Sequence, residues 1–336
     1  MINNILSKLD KKEDLSSSEM QIAFEKIMTG KIDQNHIEEF LLSLNKKGIT
    51  NKEISSAAKV MKEKALKFDV GSTEHIDTCG TGGTGLHTFN CSTASSFVAS
   101  AGGAKITKHG NKAISSKSGS ADFLSEAGAN INHDRKQIET IFTKVGFVFL
   151  FAPLHHSSMK YVMSARQKIG QKTIFNMLGP HTNPCSAQKQ IIGVYDKKLL
   201  SSFSIVAKDL EMEHVIVVHG KDGIDEISIT DETYVSELKN NSISEYTLSP
   251  KQFGLSLANM NDISANSPKD SFKLVSEAFA GVNSPVQDMI ALNAGAALYL
   301  SGQVSSIADG VENSFEIMND GSALKKLKEY VSITNQ

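Results

Sequence analysis

Ile76-Asp-Thr-Cys-Gly-Thr-Gly-Gly-Thr-Gly85 is a short β-rich run that ends in a glycine loop, and it begins the part of the chain that decides the fold. From His75 onward, short β-rich runs alternate with helical stretches, which is typical of an α/β domain with a central, largely parallel sheet flanked by helices. Ligands of such sheets bind beyond the carboxyl ends of the strands. The glycine loop therefore marks where we expect the chemistry.

The predicted elements after His75 are five strands and five helices. The strands are expected over residues 76–79, 105–108, 147–151, 190–195 and 215–219. The helices are expected over residues 92–100, 121–127, 137–145, 157–167 and 199–210. Residues 259–270 are loosely polar and predict a surface loop.

The first ~70 residues repeat helix-start signals. Capping boxes are predicted at Ser16 with Glu19 and at Thr50 with Glu53, and Asp33 can cap a third helix. Apolar residues at helical spacing then predict a small bundle that buries its stripes internally, against the rest of the chain or against a second subunit. We expect a helical domain over 1–70, with part of 160–185 packing on it, and an α/β domain over 71–336.

Composition excludes several classes of protein. The chain has 336 residues, 40% of them hydrophobic, and a formal net charge of -2, which disfavours a nucleic-acid or membrane footprint over its whole surface. No apolar stretch approaches the roughly 20 residues of a membrane span, and the N-terminus lacks a signal-peptide core. The three cysteines fit neither a disulfide framework nor a zinc site. We expect a cytoplasmic protein.

The segment between Asp77 and Asp122 contains no acidic residue, although Asp and Glu make up 37 of the 336 residues. It carries four lysines, eight glycines and many hydroxyl side chains. Glycine-rich backbone, hydroxyl donors and cations without competing carboxylates are what a polyanionic ligand needs. A phosphate-bearing small molecule is the expected ligand.

The loop Gly80–Gly85 satisfies the G-x-G-x-x-G dinucleotide pattern. A Rossmann site also needs an acidic residue about 20 positions later, where this chain has residues 102–105, so NAD is disfavoured. An NADP enzyme that uses Lys105 stays open. A Walker-type phosphate loop is excluded because no Gly-Lys-Ser/Thr follows.

Longer motifs are more specific than the glycine loop. They are Asp77-Thr-Cys-Gly-Thr-Gly-Gly-Thr-Gly-Leu-His-Thr-Phe-Asn-Cys-Ser-Thr93, Lys108-His-Gly-Asn111, Ser118-Gly-Ser-Ala-Asp122, Arg166, Thr173-Ile-Phe-Asn-Met-Leu-Gly-Pro180, Asn183-Pro184 and Asp225-Glu226. With them the chain closely resembles the anthranilate phosphoribosyltransferase family over nearly its whole length. The resemblance implies a helical domain, an α/β domain, a cleft between them, Mg²⁺, and a homodimer formed through the helical domain. It also implies transfer of a phosphoribosyl group from phosphoribosyl pyrophosphate to anthranilate, in tryptophan biosynthesis.

The same resemblance implies the site residues. Those for phosphoribosyl pyrophosphate are Gly80, Gly83, Thr84, Thr88, Asn90, Cys91, Ser92, Thr93, Lys108, Ser116 and Ser120. Those for anthranilate are Gly80, His109, Asn111, His156 and Arg166, and those for the metal are Ser92, Asp225 and Glu226. The catalytic groups are Lys108, Arg166, Asp225 and Glu226.

The expected chemistry fits these residue types. Loss of pyrophosphate collects negative charge on the leaving group, which Mg²⁺ and Lys108 can stabilise. Asp225 and Glu226 follow an apolar strand and offer the oxygen ligands that Mg²⁺ prefers. Arg166 offers a planar fork for a carboxylate. An aromatic amine is already neutral at pH 7, so no general base is assigned.

The chain departs from the family pattern at three positions. Thr84 stands where the family usually has Asp, and we expect this to alter Mg²⁺ dependence while the backbone of the loop persists. Lys112 and Lys172 stand where Arg is commoner. Two alternatives stay open, a pyrimidine nucleoside phosphorylase of the same fold and a non-catalytic relative that binds nucleic acid. Both are disfavoured by the motifs, so we expect small-molecule substrates and neither nucleic-acid nor membrane partners.

Overall fold

The computed structural model describes residues 2–72, 74–113 and 117–336. Its helices before the sheet are α1 (Ile2–Asp10), α2 (Ser17–Met28), α3 (Gln34–Lys47) and α4 (Asn51–Lys64). The strands are β1 (Ile76–Asp77), β2 (Ile106–Gly110), β3 (Phe147–Phe151), β4 (Lys189–Gly193), β5 (His214–Gly220), β6 (Thr233–Lys239) and β7 (Ser242–Leu248). The remaining helices are α5 (Cys91–Ala101), α6 (Ser120–Glu126), α7 (Arg135–Val145), α8 (Ala152–His155), α9 (Lys160–Ile169), α10 (Phe175–Leu178), α11 (Leu199–Asp209), α12 (Pro268–Phe279), α13 (Pro285–Ser301), α14 (Ile307–Asn319) and α15 (Ser322–Thr334).

The predicted helix starts of the bundle are confirmed. The Ser16 hydroxyl accepts the Glu19 N–H while a Glu19 carboxylate oxygen accepts the Ser16 N–H, and Thr50 and Glu53 form the same pair. Asp33 accepts the N–H of His36 at the start of α3. Each cap satisfies backbone donors that the first helical turn leaves unpaired.

The bundle core is completed by later parts of the chain. Phe24 and Phe40 are fully buried at its centre. The same apolar cluster includes Val162 and Ala165 of α9, Phe175 and Leu178 of α10, and Val206 of α11. The segment that links β3 to β4 is therefore attached to the bundle as well as to the sheet. The division of the chain at residue 70 stays a prediction.

Within the described residues, the sheet has seven strands in the order β3-β2-β1-β4-β5-β6-β7. The first five are parallel to one another and are the five predicted strands, whereas β6 and β7 are antiparallel. The β6–β7 hairpin was not predicted. Its turn residues Asn240 and Asn241 have φ values of 50° and 59°, the left-handed pair that a two-residue hairpin turn favours.

Alternate side chains of β4 and β5 enter two different cores, as the two-residue period of a strand requires. Ile191 and Ile216 belong to the large core that includes α5, α7 and α13. Ile192 and Val217 face α11 in a smaller core. Helices therefore cover both faces of the sheet. The loops that follow the strands lie at the edge formed by the carboxyl ends of the strands.

Residues 259–270 are not simply a surface loop, contrary to the sequence-based expectation. Ile263 and Ala265 are buried, and α12 begins at Pro268. The Phe89 N–H donates to the Ile263 carbonyl and the Ala265 N–H donates to the His87 carbonyl. Residues 263–265 therefore hold residues 87–89, at the end of the glycine-rich stretch, by backbone hydrogen bonds. No helix in the described parts of the chain is long and apolar enough to cross a membrane.

Candidate active site

The glycine loop is anchored on one side and open on the other. The Thr81 N–H donates to the carbonyl of Gly193 at 2.8 Å, and the Thr81 hydroxyl accepts the N–H of Tyr195 at 3.1 Å. Gly82 and Gly83 have φ values of 59° and 80°, in the left-handed region that other residues rarely adopt. The loop thus keeps a bare backbone surface at the carboxyl ends of β1 and β4.

Asp225 and Glu226 lie against this loop, between β5 and β6. A Cβ atom placed on Gly80 would be 3.3 Å from Asp225 Oδ2. The Ser92 N–H donates to Glu226 Oε1 at 3.1 Å. Asn293 of α13 exchanges two hydrogen bonds with the backbone of Ile227 and so fixes the turn from its buried side. The structure therefore brings together the loop and the carboxylate pair that the sequence predicted as a metal site.

The two carboxylates are held where negative charge is costly. Burial, and then the neighbouring Asp225, raise the pKa of Glu226 to about 8, against the opposing effect of Lys108. Burial also raises the pKa of Asp225. A divalent cation would relieve both effects because it favours the ionised carboxylates. Two carboxylates with the Ser92 hydroxyl nearby form an all-oxygen donor set, which suits Mg²⁺.

Lys108 is a buried cation at the base of the same site. Only 1% of its surface is exposed. Its Nζ donates to the Thr78 carbonyl at 2.6 Å, the Thr78 hydroxyl at 3.0 Å and the Ser92 hydroxyl at 3.2 Å. All three acceptors are uncharged, so they satisfy the donors without neutralising the charge. Lys108 therefore keeps a positive potential beneath the glycine loop and α5.

Asp77 joins the strands beneath the site. Oδ1 accepts the N–H groups of Thr78 and His109 at 2.7 and 3.0 Å. Oδ2 accepts from the side chains of Asn183 and Gln190 at 2.8 and 3.4 Å. Burial raises the pKa of Asp77 to about 6. These bonds connect β1, β2, β4 and the loop before β4 through one carboxylate.

Asp77, Cys79 and His109 bring an oxygen, a sulfur and a nitrogen within 4.8 Å of one another. Four donors already use the lone pairs of Asp77, and burial raises the pKa of the Cys79 thiol, so a metal would have to displace both hydrogen bonds and a proton. We interpret this cluster as structural.

Hydroxyl and amide groups organise the start of α5. Asn90 Oδ1 accepts hydrogen bonds from Ser118 and Ser271, at 2.7 and 2.8 Å. The Thr93 hydroxyl donates to the Ser120 hydroxyl at 3.0 Å. These bonds place the N-termini of α5 and α6 side by side, and helix N-termini favour anions. Asn90 therefore connects the starts of α5 and α6 to α12, in addition to any contact that it makes with a ligand.

The histidines at the other side of the site are buried and neutral. The ring centroids of His109 and His156 are 5.1 Å apart. Among the described residues, neither ring nitrogen of His109 makes a hydrogen bond of regular geometry, although the Gly179 backbone lies close to that ring, and Nε2 of His156 has no partner. Burial lowers the pKa of His156 to about 4, and lowers that of His109 well below its usual value. Such rings can accept or donate one hydrogen bond at neutral pH without adding charge.

Arg166 is a half-buried cation on α9. Its guanidinium carbon lies 5.5 Å from the ring centroid of Phe175. Burial lowers its pKa, and in the described parts of the chain no carboxylate pairs with it. A half-buried guanidinium without a carboxylate leaves its two-pronged donor face available for a planar anion.

Comparisons with known proteins place the chain in a family. A model of the glycosyl transferase family helical bundle domain matches residues 3–65, and a model of the α/β domain of the glycosyl transferase family matches residues 72–324. An anthranilate phosphoribosyltransferase of Vesicomyosocius okutanii is 45% identical, with 98% of each chain covered, and one of Acetivibrio thermocellus is 43% identical, with 100% and 97% covered. The chain belongs to the anthranilate phosphoribosyltransferase family.

Solved structures of the family have the same fold. The anthranilate phosphoribosyltransferase of Thermus thermophilus matches with a TM-score of 0.92 at 32% identity, covering 98% of this chain and 99% of the other. The enzyme of Saccharomyces cerevisiae, solved in complex with PRPP and Mg, matches with a TM-score of 0.90 at 28% identity, covering 99% and 98%. The two-part fold predicted from the sequence is confirmed.

The structure also gives the positions of three further predicted site residues, Thr88, Asn111 and Cys91. Thr88 forms an isolated antiparallel bridge with Ser264. Asn111 is exposed beyond β2, where its carbonyl accepts the Ala121 N–H. The Cys91 thiol points into the core toward Ser95, so only the main chain at this position could reach a ligand. Ser116 lies outside the described residues.

Sequence reasoning missed residues that organise the family's site here. Thr78 provides two of the three acceptors for Lys108, and the Asn183 side chain donates to Asp77, although no motif in the sequence indicates either role. Gly193 fits the pattern of an ordinary residue within the predicted strand over residues 190–195. A glycine inside a strand pattern often marks a close approach of another backbone, and that signal could have identified it.

Proposed function

We propose that this protein transfers the phosphoribosyl group of phosphoribosyl pyrophosphate to the amine of anthranilate, giving N-(5-phosphoribosyl)anthranilate and pyrophosphate in tryptophan biosynthesis. The observation that carries the proposal is the Asp225–Glu226 pair, which lies against the glycine loop and Ser92 in a fold shared with anthranilate phosphoribosyltransferases. The Saccharomyces cerevisiae relative is solved with PRPP and Mg and also with 4-fluoroanthranilate.

In the proposed reaction, the C1–O bond to pyrophosphate breaks, the C1–N bond to anthranilate forms, and the nitrogen loses one proton. The bare backbone of the glycine loop and the N-termini of α5 and α6 would bind the phosphate groups. Asp225, Glu226 and Ser92 would hold Mg²⁺, which neutralises charge on the departing pyrophosphate when bound. Lys108 would add positive potential from beneath, and its protein hydrogen bonds keep it in place before substrate arrives.

We propose that the acceptor lies toward Arg166 and the buried histidines. The guanidinium would bind the anthranilate carboxylate with two parallel hydrogen bonds. His109 and His156 are neutral because burial lowers their pKa values, so they would orient the acceptor by hydrogen bonds without competing for its carboxylate. Asn111, at the end of β2, would complete this side of the site.

We also propose a homodimer formed through the helical domain over residues 1–70. Exposed large apolar side chains include Ile22 of α2 and Leu42 of α3, at 39% and 41%, and Met163 of α9, which packs on these two helices, at 44%. The α9 helix packs on both α2 and α3, so the three residues belong to adjoining helices. The three cysteines are free, in keeping with a reducing compartment, and we place the enzyme in the cytoplasm.

The first test follows the loss of anthranilate fluorescence after mixing purified protein with phosphoribosyl pyrophosphate and Mg²⁺, with pyrophosphate release measured in parallel. Equal rates of the two signals, lost in the Asp225→Ala/Glu226→Ala double variant, would support both the reaction and the site. No loss of fluorescence at any Mg²⁺ concentration would overturn anthranilate as the acceptor. Nucleosides with inorganic phosphate, and then nucleic acid at several salt concentrations, would be tested next.

A further inference from the structure

Lys172 lies where the helical bundle meets the glycine loop. It stands between α9 and α10, in the segment whose apolar residues pack into the bundle core. Its carbonyl accepts a hydrogen bond from the side chain of Asn45 on α3 at 2.7 Å. The backbone of Lys172 is therefore held by the bundle rather than by the sheet.

The side chain of Lys172 reaches across to the α/β domain. A Cβ atom placed on Gly83 would lie 3.4 Å from Lys172 Cε and 3.7 Å from Nζ. Its Nζ lies 3.3 Å from the ring centroid of Tyr195, whose N–H donates to Thr81 in the glycine loop. The loop thus has the Asp225 carboxylate beside Gly80 and an ammonium group beside Gly83.

The carboxylates of Asp196 and Asp225 attract this ammonium group only from longer range. In the described residues, no carboxylate oxygen lies within 4.0 Å of Lys172 Nζ. Its contact with the Tyr195 ring is a cation–π interaction, which at an exposed site is weaker than a hydrogen bond from an ammonium to a phosphate oxygen. A phosphate group on the glycine loop would therefore be a better partner than the one Lys172 has.

We propose that Lys172 is a substrate-binding residue that donates from the bundle side to the phosphate-bearing group on the glycine loop. The inference rests on the proposed function, because it takes phosphoribosyl pyrophosphate as the ligand. It makes the substrate contact both parts of the molecule, with Asn45 holding the backbone that carries the donor. The role is positional and electrostatic, and Lys172 transfers no proton.

The test compares Lys172→Gln with Lys172→Arg and with Lys160→Gln. Lys160 is a matched control, since it is an exposed lysine on α9 whose Nζ lies 5.0 Å from the ring centroid of Tyr161. Binding of phosphoribosyl pyrophosphate with Mg²⁺ is measured by calorimetry without anthranilate, and KM values come from the fluorescence assay. We expect Lys172→Gln to weaken phosphoribosyl pyrophosphate roughly tenfold or more and to change the anthranilate KM by less than about twofold.

Lys172→Arg should bind phosphoribosyl pyrophosphate like the parent protein, because it retains the charge and the donors. Tyr195→Leu should bind it at least as tightly, since it frees the ammonium from the ring. The inference is overturned if Lys172→Gln binds phosphoribosyl pyrophosphate like the parent, if Lys160→Gln loses as much affinity, or if Tyr195→Leu is as weak as Lys172→Gln.

The titration separates this inference from the proposed reaction. A parent protein that binds phosphoribosyl pyrophosphate but leaves anthranilate unchanged would overturn the proposed acceptor, while the titrations of the variants still decide the role of Lys172. A parent protein that does not bind phosphoribosyl pyrophosphate would overturn both.

Discussion

The backbone carbonyl of Asp225 occupies the space that a side chain on Gly193 would need. A Cβ atom at position 193 would lie 1.7 Å from that oxygen. Gly193 ends β4, and its own carbonyl accepts the N–H of Thr81 in the glycine loop. Gly193 therefore fixes the position of the glycine loop, through its bond to Thr81, and the position of Asp225 beside that loop.

Gly193→Ala should destabilise the fold and displace Asp225, because a backbone carbonyl cannot move aside as a flexible side chain can. We expect a loss of roughly 1–3 kcal/mol or more in the free energy of unfolding, together with weaker Mg²⁺ binding. Urea denaturation and Mg²⁺ titration measure the two effects. Gly179→Ala is the stability control, since a Cβ there meets no atom within 4 Å, and it should change stability by less than about 0.5 kcal/mol.

The carboxylate pair should make the stability of the metal-free protein depend on pH. Glu226 has a pKa of about 8 in the folded protein against the usual 4.5, so the folded state binds more protons in this range. The contribution of Glu226 to the free energy of unfolding is therefore fully present below pH 4.5 and is lost as the pH rises through about 8. Thermal melts in chelator should show this loss, and Glu226→Gln should remove its share of it.

Mg²⁺ should bind more tightly as pH rises from 6 to 8, since it must displace the proton that Glu226 retains at lower pH. The increase in Tm on adding Mg²⁺ should accordingly be larger at pH 8 than at pH 6. An equal increase at both values, or an undiminished increase in Glu226→Gln, would argue against this pair as the metal site.

Arg166→Gln should raise the KM for anthranilate by roughly 10- to 100-fold, the effect of losing hydrogen bonds to a charged group. Arg166→Lys should recover part of this loss, because it restores the charge but not the planar fork. The KM for phosphoribosyl pyrophosphate is the internal control and should stay within about twofold. If only the KM for phosphoribosyl pyrophosphate changed, Arg166 would contact phosphoribosyl pyrophosphate rather than anthranilate.

Thr84→Asp should lower the Mg²⁺ concentration needed for half-maximal activity by a few-fold. The Thr84 hydroxyl accepts the Leu86 N–H at 3.2 Å, and an Asp side chain can accept the same N–H, so the loop should keep its shape while it gains a negative charge. Thr84→Asn tests shape without charge and should resemble the parent protein. The same Mg²⁺ response in both variants would mean that charge at this position has no part in metal binding.

The proposed dimer should dissociate when charge is placed on the exposed apolar residues of the helical part. Ile22→Glu combined with Met163→Glu should give a monomer in sedimentation velocity, because two desolvated carboxylates would oppose the interface. Leu257→Glu is the matched control, an equally exposed apolar residue at 47% in the α/β part, and it should stay dimeric. A parent protein that sediments as a monomer would overturn the proposal.

Local signals in the sequence were sufficient where the interaction itself is local. The caps at Ser16, Asp33 and Thr50 join residues three positions apart, and the structure contains all of them. The five parallel strands were found because each is a short β-rich run that alternates with a helical stretch. The β6–β7 hairpin was missed although Asn240 and Asn241 carry its turn, because its strands are largely polar and β7 lies at the edge of the sheet.

The sequence by itself determined the residue types of the site, the helix starts, the glycine loop and the family that these motifs indicate. Only the tertiary structure decided which groups meet: the Lys108 ammonium with Thr78 and Ser92, the Asp225 carbonyl with Gly193, and Lys172 with the glycine loop. These pairs are distant in sequence. The first two meet because β1 lies between β2 and β4, and β4 lies next to β5. Lys172 meets the glycine loop because Asn45 of α3 holds its backbone beside the sheet. No local propensity encodes that order. It follows from the packing of whole strands and helices around shared cores, which buries apolar surface and brings the carboxyl ends of the strands to one edge.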